Sequence, residues 1–144
     1  MSKPEEFRTY LLGDKEKESL VEQLKVRLAQ VDGIRFAFLH GSVTGDLPVH
    51  DIDVALFFDD FTSEEYRTDT VLGLSVELTA KIGIPVDIHA LNGTSLGFQF
   101  EVIRGTPVFS RNDDECSEYI QKVWSMYLDY EPLLKQVVVD LLQP

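Results

Sequence analysis

The amino-acid sequence predicts an α+β fold in which one small central sheet is flanked by helices. Three short apolar runs, Ile34 to Leu39, Asp51 to Phe58 and Ile84 to Leu91, have the length and density of largely buried strands. Between them lie longer stretches whose apolar residues recur every three or four positions, the spacing of a helix face. At the joints stand Asp32-Gly33, Gly83 and Asn92-Gly93, residue types that turn a chain.

Taken in order, residues 1 to 13 form a lead-in whose Phe7, Tyr10, Leu11 and Leu12 are suited to docking on a core. Asp14 is placed to cap a helix to about Val31, with Leu20, Leu24, Leu28 and Val31 as its buried stripe. After the first strand, Thr44 to His50 is a loop marked by Gly45 and Pro48. Beyond the second strand, Thr62 and Glu65 form a capping-box pattern for a helix from about Ser63 to Ile82. Its buried positions are Val71, Leu74, Leu78 and Ile82, and Gly83 stops it. In the third strand Val86, Ile88 and Ala90 face one way, Asp87 and His89 the other.

A short helix from about Ser95 to Arg104 follows, with Gly105 as its stop. Thr106 to Phe109 reads as an edge strand, where Pro107 is tolerated. Asn112 with Glu115 starts a last helix, with Ile120, Val123, Tyr127 and Leu128 as its stripe. Pro132 is expected to kink or restart it near Asp129, while Leu133, Leu134, Val137, Val138 and Leu141 carry an apolar face onward.

At 144 residues, 44% hydrophobic and 26% charged, the chain has the size and composition of one domain with a single core. Its one cysteine, Cys116, permits no internal disulfide and fits a reducing compartment. No run is long enough to span a bilayer and no basic-then-apolar leader opens the chain, so the expected location is cytoplasmic, with no membrane contact. A net charge of −12 argues against direct nucleic-acid binding, which needs Lys and Arg to displace counterions from phosphates. The same charge leaves a basic protein partner open.

The chemistry concentrates in Gly41 to Asp53. Asp51 and Asp53, two apart at the start of a strand, project to one side and hold two carboxylates together. Such a pair in a partly desolvated cleft retains a proton unless a cation neutralises it, and Mg2+ is the natural cation, shared between carboxylates and substrate phosphates. Ahead of the pair, Gly41-Ser42 can offer backbone N–H groups and a hydroxyl to a phosphate. No Lys or Arg occurs between Arg35 and Arg67, so a phosphate bound here depends on metal for neutralisation. Asp87, on the third strand, would complete a ligand set; a lone histidine such as His89 on the same side is more often a hydrogen-bonded structural residue than a ligand or base. Taken singly, each of these features also suits a plain turn or a solvated strand entry; their order is what points to a site.

In that order the residues resemble the hallmark of the polymerase-beta-like nucleotidyltransferase superfamily, a Gly-Ser motif, a D-x-D and a third aspartate on a neighbouring strand. Here these are Gly41-Ser42, Asp51-Ile52-Asp53 and Asp87. More narrowly the chain is similar to the small stand-alone minimal nucleotidyltransferase (MNT) proteins, also through its segments Phe100 to Phe109 and Tyr127 to Tyr130. The likeness runs from about Ile34 to Leu134 and departs from the family pattern at Val43-Thr44-Gly45, where members carry an arginine, and in a shorter loop before the D-x-D.

The resemblance implies a small mixed β-sheet flanked by helices, with C-terminal helices. It implies one nucleotidyltransferase domain over 1–144, with N-terminal helices in 1–32, a core in 34–109 and a helical tail in 112–142. The implied activity is transfer of AMP from ATP to a tyrosine of a HEPN-domain RNase toxin, for which the chain would be the antitoxin. Asp51, Asp53 and Asp87 would be the catalytic residues and would hold two Mg2+ ions. Gly41 and Ser42 would grip the triphosphate, and Arg104 would contact nucleotide or acceptor, although it equally suits a helix C-terminus as a favourable charge. Two alternatives stay open: a non-catalytic antitoxin that neutralises its partner by binding, and a nucleotidyltransferase for a small molecule such as an aminoglycoside. The oligomeric state is also open.

Overall fold

The computed structural model describes residues 9–44 and 48–143, apart from the side chain of Ser42. The expected docking residue Phe7 and the loop residue Gly45 lie outside the described residues. The chain runs α1 (Asp14–Ala29), β1 (Ile34–His40), a 3-10 turn (Gly41–Thr44), β2 (Ile52–Phe58), α2 (Glu64–Ile82), β3 (Val86–Ala90), α3 (Leu96–Ile103), β4 (Thr106–Ser110) and α4 (Asp113–Leu142). The four strands form one sheet in the order β3-β2-β1-β4. Within it β1 is antiparallel to both β2 and β4, and β2 is parallel to β3. This is the α+β architecture with a small mixed sheet that the sequence predicts.

Both sheet faces are covered, which is why the strands read as apolar runs rather than as alternation. On one face Leu20, Leu24 and Leu28 of α1 and Leu74 and Leu78 of α2 pack on Ala37, Leu39, Val54, Leu56 and Ile88, with Tyr10, Leu12, Val71 and Ile82 at the margin. On the other, Val102 and Ile103 of α3 and Cys116 and Val123 of α4 cover Phe36, Phe38 and Ala55. Each large apolar side chain buried in this way contributes about 1.5–3 kcal/mol. Specific contacts fix the layers to one another. Arg35 of β1 grips Glu115 of α4 through two hydrogen bonds of 3.0 and 2.7 Å. Asn92 holds both the N–H and the carbonyl of Phe58, at 2.8 and 2.9 Å, and so continues the β2 ladder past the end of β3.

Several expectations shift at element ends. Gly13, not Asp14, is the N-cap of α1, its N–H taken by the Glu16 carboxylate. The cap of α2 is Ser63, whose Oγ accepts the Tyr66 N–H at 3.0 Å; Thr62 belongs to the preceding turn and donates to the Asp59 carbonyl. The caps Ser95 and Asn112 accept from Phe98 and Glu115. Gly83 ends α2 with a left-handed φ of 84°. Gly105 has a different reason to be glycine: a Cβ there would drive into the Leu39 carbonyl, so the residue serves close passage of the chain past β1.

The expected break at Pro132 does not occur, because α4 continues through it to Leu142. Its missing N–H leaves the Leu128 carbonyl to solvent, and this half of the helix is exposed, Leu128 by 51%. Among the described residues no helix is long and apolar enough to cross a membrane.

Candidate active site

Sheet register builds the centre of the site. His40 pairs with Asp53 across antiparallel β1 and β2, and Asp53 pairs with Asp87 across parallel β2 and β3. Residues paired in this way project to the same face, so one row of three polar side chains crosses the sheet. The row lies where β1 ends and β2 and β3 begin. Its face is the one covered by α3 and α4, and Phe98 of α3 meets the His40 and His89 rings edge-on at centroid distances of 5.8 and 6.0 Å.

Gly41 follows His40 directly and opens the 3-10 turn. Its φ of 75° is left-handed, a region that side chains other than glycine enter at a cost. A Cβ there would also collide with the Asp53 carboxylate, so the glycine brings bare backbone against the acid. Thr44 closes the turn by donating to the Gly41 carbonyl at 2.8 Å, and the buried Val43 anchors it in the core. Of Ser42 the backbone lies in this turn, while its side chain lies outside the described residues.

Ligand atoms of Asp53, Asp87 and His89 all come within 4.8 Å of one another. Within that group His89 Nε2 and Asp87 Oδ2 are hydrogen-bonded at 3.0 Å. Asp51, just ahead of β2, is not in the group but acts on it electrostatically. Burial first, then the charges of Asp51 and Asp87, push the Asp53 carboxyl up from 3.8 to about 6, with His89 pulling weakly the other way. Burial, reinforced by His89, holds the His40 imidazole below its usual value, and His40 Nε2 is buried with no hydrogen-bond partner among the described residues.

Such a site suits a divalent cation on two grounds. Convergent ligand atoms are in place, and the Asp53 carboxylate has more negative than positive charge around it. The sequence points to Asp51, Asp53 and Asp87; the structure brings Asp53 and Asp87 together and adds His89 as a potential nitrogen donor. His40 escapes a reading by sequence, since only the register of β1 on β2 places it opposite Asp53.

Arg104, the C-cap of α3, is exposed. It pairs with Glu101 at 3.3 Å and lies over the Phe100 ring at 5.7 Å. Both contacts are with residues of its own helix. His89 and Phe98 also border an open cleft of about 840 Å3 between α2 and α3, with Arg67 and Asn92 on its walls.

A turn with a left-handed glycine pressed on one of two strand-paired aspartates defines a nucleotidyltransferase-type site on a mixed sheet. The family model described as polymerase beta, nucleotidyltransferase matches residues 22–114, well over half of the chain, and the chain belongs to that family. Among solved structures the chain is similar to one in the complex of a tri-AMPylated Shewanella oneidensis HEPN toxin with MNT antitoxin. The identity is 18% and the TM-score 0.63, over 90% of this chain and 98% of that one. It is likewise similar, at 18% identity and TM-score 0.63, to a chain of a toxin–antitoxin complex with AMP-PNP, over 88% of this chain and 98% of the other. A third neighbour, from the MntA–HepT toxin–antitoxin pair, has 16% identity and a TM-score of 0.61 over 91% of this chain and 100% of that one. At these identities the likeness is one of fold. A search of curated proteins finds no match.

Proposed function

We propose that this protein is a Mg2+-dependent protein adenylyltransferase of the cytoplasm, an antitoxin that transfers AMP from ATP to a tyrosine of a HEPN-domain toxin. The observation that carries the proposal is the constellation of Gly41 against Asp53, with Asp53 paired to Asp87, in a chain of the polymerase beta nucleotidyltransferase family. Structural neighbours whose complexes hold an AMPylated HEPN toxin or AMP-PNP support the choice of acceptor and nucleotide.

In the transfer, the tyrosine oxygen bonds to the α-phosphorus of ATP, the α–β phosphoanhydride bond breaks, and pyrophosphate leaves with the electron pair. Asp53 and Asp87, with Asp51 beside them, would hold Mg2+, which supplies charge neutralisation for the triphosphate and the departing pyrophosphate. The backbone of Gly41 and Ser42 would hold the outer phosphates, in a turn that glycine alone lets approach Asp53 so closely. Asp87, more than half exposed, would take up the phenol proton as the new bond forms. The cleft that has His89 on its wall would receive the acceptor side chain beside Asp87, which is hydrogen-bonded to His89.

One observation favours a second reading, neutralisation by binding alone. The C-terminal half of α4 exposes Leu133, Leu134, Val137, Val138, Leu141 and Leu142, between 47% and 79% each. Incubating the purified chain and its co-expressed partner with ATP labelled at the α-phosphate separates the two. Label retained on the partner with wild type and absent with Asp53→Asn supports transfer; an unlabelled partner, still bound and inhibited, sinks it.

A further inference from the structure

We propose that His89 is a metal ligand, and that this makes the site a mixed nitrogen–oxygen centre that accepts Mg2+ but binds Mn2+ more tightly. The inference rests on the nucleotidyltransferase reading for the presence of a cation and goes beyond it in ligand set and metal choice. Three observations support it. A ring nitrogen of His89 belongs with carboxylate oxygens of Asp53 and Asp87 to a set of atoms all within 4.8 Å of one another. His89 Nε2 and Asp87 Oδ2 are 3.0 Å apart, and two ligands at adjacent corners of an octahedron with bonds of about 2.1 Å are separated by about 3.0 Å. The ring is also held in place, because Phe98 of α3 stands edge-on to it and β3 fixes its backbone beside Ala55 of β2.

Metal selectivity follows from donor chemistry. Mg2+ is a hard ion that favours oxygen and keeps its waters, whereas imidazole nitrogen favours first-row transition ions. Carboxylate oxygens suit Mg2+ and Mn2+ alike, so the single nitrogen, a donor for transition ions, is what tips the site from Mg2+ towards Mn2+. No residue of the D-x-D is involved in this discrimination. It comes from position 89, on an edge strand, where the side chain is 44% exposed and lies outside the buried core.

The test uses Mn2+ alone as the probe on the full-length protein, with titration calorimetry for affinity and pulsed electron paramagnetic resonance for nitrogen coupling. Wild type is expected to show an imidazole nitrogen coupled to bound Mn2+ and to bind Mn2+ more tightly than Mg2+. His89→Ala is expected to lose the coupling and about tenfold in Mn2+ affinity, the scale that even outer-shell partners of a metal carry. His89→Asp should restore affinity while narrowing the preference between the ions. Mn2+ bound without nitrogen coupling, and equally by wild type and His89→Ala, overturns the role of His89 but leaves adenylyl transfer standing. Coupling that persists in His89→Ala assigns the nitrogen elsewhere and overturns it too. Absence of any Mn2+ binding by wild type removes both the ligand role and the metal-dependent reading.

Discussion

Gly41 lies so close to Asp53 that a methyl group on the glycine would occupy the place of the carboxylate. The turn proposed to hold phosphate and the acid proposed to hold metal are thereby joined by one contact between β1's exit and β2's entry. The glycine is required twice, by its φ of 75° and by that contact.

Gly41→Ala should therefore lose about 1–2 kcal/mol from the left-handed backbone alone and should displace the Asp53 carboxylate as well. Denaturant unfolding checks the first effect. Metal titration of the folded variant checks the second, with a drop in affinity expected even where the protein remains folded.

Asp53→Asn should abolish adenylyl transfer without loss of fold. The substitution removes charge and almost no volume, and it relieves repulsion from Asp51 and Asp87. In the absence of metal the variant should be at least as thermostable as wild type at pH 7. A fall in melting temperature with loss of helical circular dichroism would instead make Asp53 a structural residue.

The raised Asp53 carboxyl also predicts a pH dependence. Its proton is held more tightly in the folded state, to about 6 against 3.8. The unfolded chain ionises first as pH rises, so the metal-free protein should lose stability between about pH 4 and 6 and level off above. Solvent screening at a half-exposed group limits Asp53's share of this change to about 1 kcal/mol. A saturating divalent cation should flatten the Asp53 contribution, which paired unfolding curves of wild type and Asp53→Asn across this range would isolate.

Gly105→Ala should destabilise by about 1–3 kcal/mol, the usual scale of overpacking, because the added Cβ meets the Leu39 carbonyl and sits 3.1 Å from His40 Cα. Chemical denaturation reads the loss. The damage would fall at the end of β1, next to the site, so metal affinity should drop with stability.

Much of this was legible in the residues because the signals are local. Alternation in Val86 to Ala90 places Asp87 and His89 on one side, and the structure shows them there, Val86 and Ile88 being buried. Asn112 reads as a cap three residues ahead of Glu115 and accepts its N–H. The remainder depends on pairings between distant segments. His40 enters the site only because β1 and β2 pair in one register, and a bulge between Ile34 and Phe36 adjusts that register. Gly105 looks like a helix stop until the backbone of β1 is seen against it. Pro132 looks like a helix break, yet an exposed helix leaves the orphaned carbonyl to water.

The most direct measurement is the intact mass of the partner protein that co-purifies with this chain from cells, produced with wild type and with Asp53→Asn. The account predicts a partner heavier by one or more AMP units with wild type and of unmodified mass with the variant. A partner of unmodified mass with both forms, bound and inactive in each, would contradict it.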